Sequence, residues 1–204
     1  MKIFITATDT NVGKTLISSW IALHTGFSYF KPIQTGTRDG SDSFEVQKLS
    51  DTKIYPESYA YKEPLSPHLA ANLENDMIDI EKIVLPPSRN LIIEGAGGVL
   101  VPINDKHLMI DLIKKLGAPV ILVARTTLGT INHTLLSLEA LRSRNIEVIG
   151  VIMNGEQNPQ NSDSIKLYGL TSVLAEFPKL ESVSMNTLKS VALPQKLKQI
   201  LEVE

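Results

Sequence analysis

Short runs rich in Ile, Leu and Val recur at residues 3–6, 29–33, 91–94, 120–124, 148–153 and 173–177, and most do not alternate with polar residues. A strand with one wet face alternates at every second position, so these unbroken runs predict strands buried on both faces. Between them, apolar residues return at three- and four-residue spacing, predicting helices over 16–24, 42–49, 69–73, 108–116, 132–143 and 191–201. Strands alternating with helices predict an α/β fold: a mostly parallel sheet with helices on both faces, in a single domain over residues 1–204. Pro86-Pro87 and Asn158-Pro159-Gln160-Asn161 read as loops.

Ligands of such sheets bind beyond the carboxyl ends of the strands. That rule singles out Thr6-Ala7-Thr8, Lys31-Pro32, Glu94-Gly95 and Asn154-Gly155. The first leads into Thr8-Asp9-Thr10-Asn11-Val12-Gly13-Lys14-Thr15, which opens a helical run, so strand, loop and helix follow one another in phosphate-binding order. Backbone N–H groups from Asn11 to Leu16 would cradle anionic oxygens, Lys14 would neutralise terminal phosphates, and the Thr15 hydroxyl would ligate Mg²⁺. The match is incomplete, because the usual loop has glycine five residues before Gly13 and this chain has Thr8.

The other strand ends carry complementary chemistry. Pro32 holds Lys31 extended, so its ammonium is aimed over the loop, where it would neutralise charge on a transferred phosphoryl group opposite Lys14; a surface lysine is the plainer alternative. Glu94 precedes the bare turn Gly95-Ala96-Gly97-Gly98, and a carboxylate there suits Mg²⁺ beside a close ligand. Asp42 is the best second acid, with Asp39 and Asp9 competing, although Asp42 also reads as a helix N-cap. Asp111 reads as a structural or supporting acid. Asn154 offers an amide suited to a purine edge, or simply a turn with Gly155, and Phe177-Pro178 would border the base. Thr35 would bind a polar substrate or close a turn. Gly129-Thr130-Ile131-Asn132 opens a helix whose first N–H groups could hold an anion. His24, His68, His107 and His133 show no ligand or triad spacing and read as structural.

Composition narrows the partners. Net charge is −2, with 20 basic and 22 acidic residues, and no stretch concentrates Lys and Arg beyond pairs such as Lys114-Lys115. Nothing here recruits nucleic acid or an anionic membrane. There is no cysteine, which excludes disulfides, thiolate metal sites and a cysteine nucleophile and fits a reducing compartment. The apolar runs are strand-sized, well short of a membrane span, so a soluble cytoplasmic protein is expected.

Six ordered blocks together resemble dethiobiotin synthetase: Thr8-Asp9-Thr10-x-Val12-Gly13-Lys14-Thr15, Tyr29-Phe30-Lys31-Pro32-Ile33-x-Thr35-Gly36, Pro64-x-Ser66-Pro67-His68, Glu94-Gly95-Ala96-Gly97-Gly98, Pro119-Val120-Ile121-Leu122-Val123 and Leu128-Gly129-Thr130-Ile131-Asn132-His133. They cover most of residues 1–155. The resemblance implies a P-loop NTPase-like fold and closure of the dethiobiotin ureido ring from 7,8-diaminononanoate, CO₂ and ATP with Mg²⁺, by way of a carbamate and its mixed anhydride with phosphate. It assigns Lys14 and Lys31 to the charge of carbamate and phosphate, Thr15, Asp42 and Glu94 to Mg²⁺, and Thr35 to the diamine or carbamate. It also implies a homodimer, in which Gly129, Thr130 and Asn132 of one subunit receive the substrate carboxylate bound mainly by the other.

The chain departs from that family at Ala7, where glycine is usual, at Asn11, where Glu is common, and in the tail after Pro178, residues 179–204, where the base pocket is completed. Phosphate-dominated nucleotide recognition, with GTP or another nucleoside triphosphate tolerated, is the expectation. Two further readings compete: a nucleotide-switch ATPase of the same fold, and a dethiobiotin-synthetase-like regulatory domain. Switch ATPases usually carry a second lysine early in the loop, and residues 7–11 hold none.

Overall fold

The structure, a computed structural model, describes residues 1–202, apart from the side chain of Asp39. Its elements in chain order are β1 (Lys2–Ala7), α1 (Lys14–Thr25), β2 (Ser28–Phe30), β3 (Ile33–Thr35), α2 (Asp42–Ser50), β4 (Ile54–Tyr55), β5 (Tyr59–Tyr61), α3 (Pro67–Leu73), β6 (Leu91–Glu94), α4 (Met109–Leu116), β7 (Val120–Arg125), α5 (Thr130–Ser143), β8 (Val148–Asn154), α6 (Pro159–Gly169), β9 (Val173–Phe177), α7 (Met185–Ser190) and α8 (Gln195–Leu201). Seven strands form one sheet in the order β4-β2-β6-β1-β7-β8-β9, every pair parallel, and β3 pairs with β5 in a separate two-stranded sheet.

Both faces are covered, as the unbroken apolar runs require. Phe4, Ile93, Leu122 and Met153 point into one core with α3, α4, α5 and α6, while Ile3, Ile5, Ile92, Ile121 and Ile152 point into another with α1, α2, α7 and α8. From β1 the chain passes to β2 on one side of the sheet, and from β6 it crosses β1 to β7 on the other, so the loop after β1 lies at the topological switch point, where α/β sheets leave a crevice.

Three sequence expectations change. Residues 29–33 are not one strand: β2 ends at Phe30, and β3 starts a second sheet at Ile33. Pro32 lies in the gap and has no N–H with which to continue a ladder. The helix expected over 191–201 begins only at Gln195, as α8 after Pro194, and a separate helix, α7, ends before that span at Ser190. Asn158-Pro159-Gln160-Asn161 is no loop but the start of α6, with the Asn158 side chain accepting the Asn161 N–H and Pro159 in the first turn. The tail after Pro178 folds into the second core through Leu188, Leu193, Leu197 and Leu201, all buried.

Candidate active site

The loop between β1 and α1 is shaped by two left-handed residues. Gly13 has φ +100°, and a Cβ there would lie 2.1 Å from Asn154 Nδ2, so conformation and space both demand glycine. Asn11 has φ +56°, a region that asparagine tolerates better than most residues. Ala7 ends β1 and is not among the positive-φ residues, so replacing the family's glycine there carries no backbone cost. The Asn154 amide donates to the Val12 carbonyl at 2.8 Å, and Gly98 packs so that a Cβ would sit 3.4 Å from the Thr8 carbonyl oxygen. Strand β8 and the turn after β6 thus brace the loop from two sides.

Helix α1 brings Lys14, Thr15 and Ser18 to one face. Lys14 Nζ donates to the Asp9 carbonyl at 3.2 Å. Burial lowers its pKa to about 8, more than the attraction of Glu94 restores. Thr15 Oγ1 donates to Glu94 Oε1 at 3.0 Å and Ser18 Oγ to Glu94 Oε2 at 2.7 Å. Below them the Tyr29 phenol is wholly buried; burial first, then Glu94, pushes its pKa far up and keeps it neutral.

Lys31 lies where the sequence places it, at the end of β2, with its side chain buried. Nζ is 2.7 Å from Asp42 Oδ2, 3.1 Å from Glu94 Oε1 and 3.3 Å from the Gly95 carbonyl. Burial alone would lower its pKa, but Glu94 and Asp42 outweigh it and hold Lys31 charged above the ordinary lysine range. Burial likewise opposes ionisation of Asp42, and Lys31 reverses that, keeping the carboxylate below its usual range. Asp42 is free for this pairing because the N-cap of α2 is Ser41, whose hydroxyl accepts the Phe44 N–H at 3.2 Å.

The competing acids are engaged elsewhere. Asp9 accepts the Thr10 N–H at 2.7 Å and pairs with Arg125 at 2.9 Å, Asp111 caps the Leu108 N–H, and the Asp39 side chain lies outside the described residues. The hydroxyl of Thr15 and the carboxylates of Asp42 and Glu94 gather at Lys31, a hard oxygen donor set. Magnesium takes one or two carboxylates and fills the rest of its shell with phosphate oxygens and water, so these donors fit it. No group of three or more acidic or histidine side chains that could by itself hold a metal ion occurs among the described residues.

A cavity of about 760 Å³ opens over this cluster. Its floor is Gly13, Lys14, Thr15 and Lys31, one wall is Ala96 and Gly97, and Thr35 stands at the far side. Gln34, buried at the same side, donates from Nε2 to the Thr35 carbonyl at 2.7 Å and accepts the Asp42 N–H through Oε1 at 3.0 Å. Ser18 and Gln34 were not anticipated. Ser18 had a signal, lying three residues after Thr15 on one helical face; Gln34 had none, since only folding brings β3 beside the start of α2.

Some expected residues stand apart from the cavity. Phe177 is buried in the second core, edge-on to Trp20 with ring centroids 5.0 Å apart, so its side chain cannot border a base; strand alternation turns it toward α1. Its carbonyl accepts the Gly155 N–H at 3.0 Å, joining the β8 and β9 ends, and half-buried Pro178 follows. Gly129, Thr130 and Asn132 start α5 away from the cavity, and the Thr130 hydroxyl donates to the Arg125 carbonyl. Leu16 packs against the second core. Among the histidines, His24 contacts the Leu188 carbonyl and His107 the Asn104 side chain.

A family described as an AAA domain matches residues 1–187. The chain is similar to the ATP-dependent dethiobiotin synthetase BioD of Lawsonia intracellularis, 57% identical over 203 residues and covering 100% of both chains. It is also similar to the ATP-dependent dethiobiotin synthetase BioD of Paramagnetospirillum magneticum, 46% identical over 194 residues, covering 94% of this chain and 95% of that one. Among solved structures, a ParA family ATPase from Chlorobium tepidum TLS superposes with a TM-score of 0.51 at 13% identity, covering 98% of this chain and 96% of that one. At that identity the likeness shows the fold alone.

Proposed function

The chain belongs to the dethiobiotin synthetase family, and from that premise we propose that it joins 7,8-diaminononanoate and CO₂ into the cyclic urea of dethiobiotin at the expense of ATP. The observation that carries this reading is the Lys31 ammonium, held charged between Asp42 and Glu94 across the cavity floor from Lys14. One substrate amine adds to CO₂ and loses a proton, giving a carbamate. A carbamate oxygen attacks the γ-phosphorus and ADP leaves. The second amine then attacks the carbonyl carbon of the mixed anhydride, expelling phosphate and closing the ring.

Lys31 serves these steps as a cation and not as a base, because its raised pKa leaves it protonated. Its role is to hold the carbamate and balance charge as the phosphoryl group moves, while Lys14 and the loop N–H groups hold the phosphates. Lys14 and Lys31 balance Asp42 and Glu94 charge for charge, so an arriving triphosphate brings a net anion into a neutral cluster. Thr15, Asp42 and Glu94 would hold a Mg²⁺, which would supply the missing positive charge. Thr35, at the far side of the cavity, is assigned to the diamine or carbamate. Asn11, Val12, Gly95, Ala96, Gly97, Asn154, Gly155 and Pro178 are assigned to the nucleotide, bound chiefly by its phosphates.

The test is ATP turnover with and without diaminononanoate and bicarbonate. Phosphate release that needs both, in step with dethiobiotin formation, supports the reading; hydrolysis indifferent to them overturns it.

A further inference from the structure

We propose that Gln34 is a positioning residue for this reaction, the brace that sets Asp42 against Lys31 and, through the same amide, fixes the backbone of Thr35. The inference rests on the functional reading above and concerns a residue that this reading leaves without a role. Gln34 sits in β3 with its side chain buried, and its amide bridges two backbone groups. Nε2 donates to the Thr35 carbonyl at 2.7 Å and Oε1 accepts the Asp42 N–H at 3.0 Å. A carbonyl on one side and an N–H on the other permit only one orientation of the amide, so both bonds stand or fall together.

The chain between those two contacts makes a turn, with a short 3₁₀ segment at Thr37–Asp39, before α2 begins at Asp42. The first N–H groups of a helix have no partner within it, and the Ser41 hydroxyl takes only that of Phe44. Gln34 takes that of Asp42 itself. It therefore fixes the backbone of the residue whose carboxylate lies 2.7 Å from Lys31 Nζ. Without the amide, the backbone at the start of α2 would lose its hydrogen bond to β3, and a displacement of about 1 Å is enough to degrade a catalytic arrangement severely. A residue with a purely structural role would also be buried and bonded, but it would have no reason to join the two sides of the cavity, Thr35 and Asp42, in one side chain.

The test is a double-mutant cycle on the full chain with Gln34→Ala and Asp42→Asn, read as the Kd for ATP with saturating Mg²⁺ by calorimetry, which needs no turnover. Gln34→Ala is expected to weaken binding about fivefold in the wild-type background and less than about 1.5-fold beside Asp42→Asn, and to lower kcat for dethiobiotin formation about tenfold. Equal weakening in both backgrounds, or none in the wild type, overturns the proposal. Should the alanine variant fail to fold, Gln34→Met keeps the volume without either hydrogen bond and is held to the same outcomes. Wild-type turnover of diaminononanoate separately decides the functional reading, so failure of the cycle in an active enzyme condemns only the role of Gln34.

Discussion

Lys14 and Lys31 are the same residue type with opposite fates, and neighbours decide which fate each has. Lys31 touches two carboxylates and is pushed up; Lys14 touches a carbonyl and is pushed down to about 8 by burial. Phosphate binding selects the protonated form of Lys14, so nucleotide affinity is expected to fall about fivefold from pH 8 to pH 9 and to change little below pH 7. Calorimetric titrations at pH 7, 8 and 9 check this, and a flat affinity refutes it. The stability sign runs the other way. Between about 8 and the ordinary 10.5 the unfolded chain holds more protons at this lysine, so its contribution to the stability of the free protein rises with pH across that window. Asn11 gives a conformational test. At φ +56° a glycine is tolerated and a β-branched side chain is not, so Asn11→Gly should leave the melting midpoint within about 2 °C while Asn11→Val costs about 1–2 kcal/mol. Thermal unfolding of both variants separates them.

At the scale of elements, prolines explain both the successes and the misses. Strands 91–94 and 173–177 were legible to the residue, because a short, largely apolar run has one reading in an alternating chain. Residues 29–33 and 191–201 were not, because apolar pattern ran through Pro32 and Pro194 while hydrogen bonding could not. Strands β4 and β5 went unseen: two or three residues are too few to carry a periodicity, and only their neighbours make them strands. The tail shows the converse, a poorly matched sequence with a firm structural role. Trp20 Nε1 donates to the Val191 carbonyl, and Leu197 is fully buried against the α1 side of the sheet. Leu197→Ala is therefore expected to cost about 2–5 kcal/mol and lower the melting midpoint by roughly 5–15 °C. A shift under about 2 °C in calorimetry would show that the tail is not part of the cooperative unit.

The whole molecule separates two groups of residues that the sequence reading joined. Lys14, Thr15, Lys31, Asp42 and Glu94 converge within one chain, whereas Gly129, Thr130 and Asn132 do not line the cavity. Leu128, beside them, is an apolar side chain fully exposed at the loop tip. The family resemblance implies a homodimer, in which one subunit's α5 start would receive the carboxylate of a diamine held by the other. Asn132→Asp puts a like charge there, so it should weaken diamine binding at least tenfold and ATP binding less than twofold. Equal losses for the two ligands, measured by titration, would dismiss the composite site. The sequence by itself determined the layered α/β architecture and the strand ends proposed to carry chemistry, since burial on both faces and the order of strand, loop and helix are written locally. It named the lysines, the acids and Thr15 because each sits beside a local landmark, a glycine turn, a proline or a strand end. The tertiary structure alone decided that Asp42 and not Asp9 pairs with Lys31, that Phe177 serves the core, that Asn154 braces the loop, and that Gln34 spans the cavity's far side. Those outcomes depend on contacts between segments distant in the chain, where distance and burial, and not residue type, select the partner.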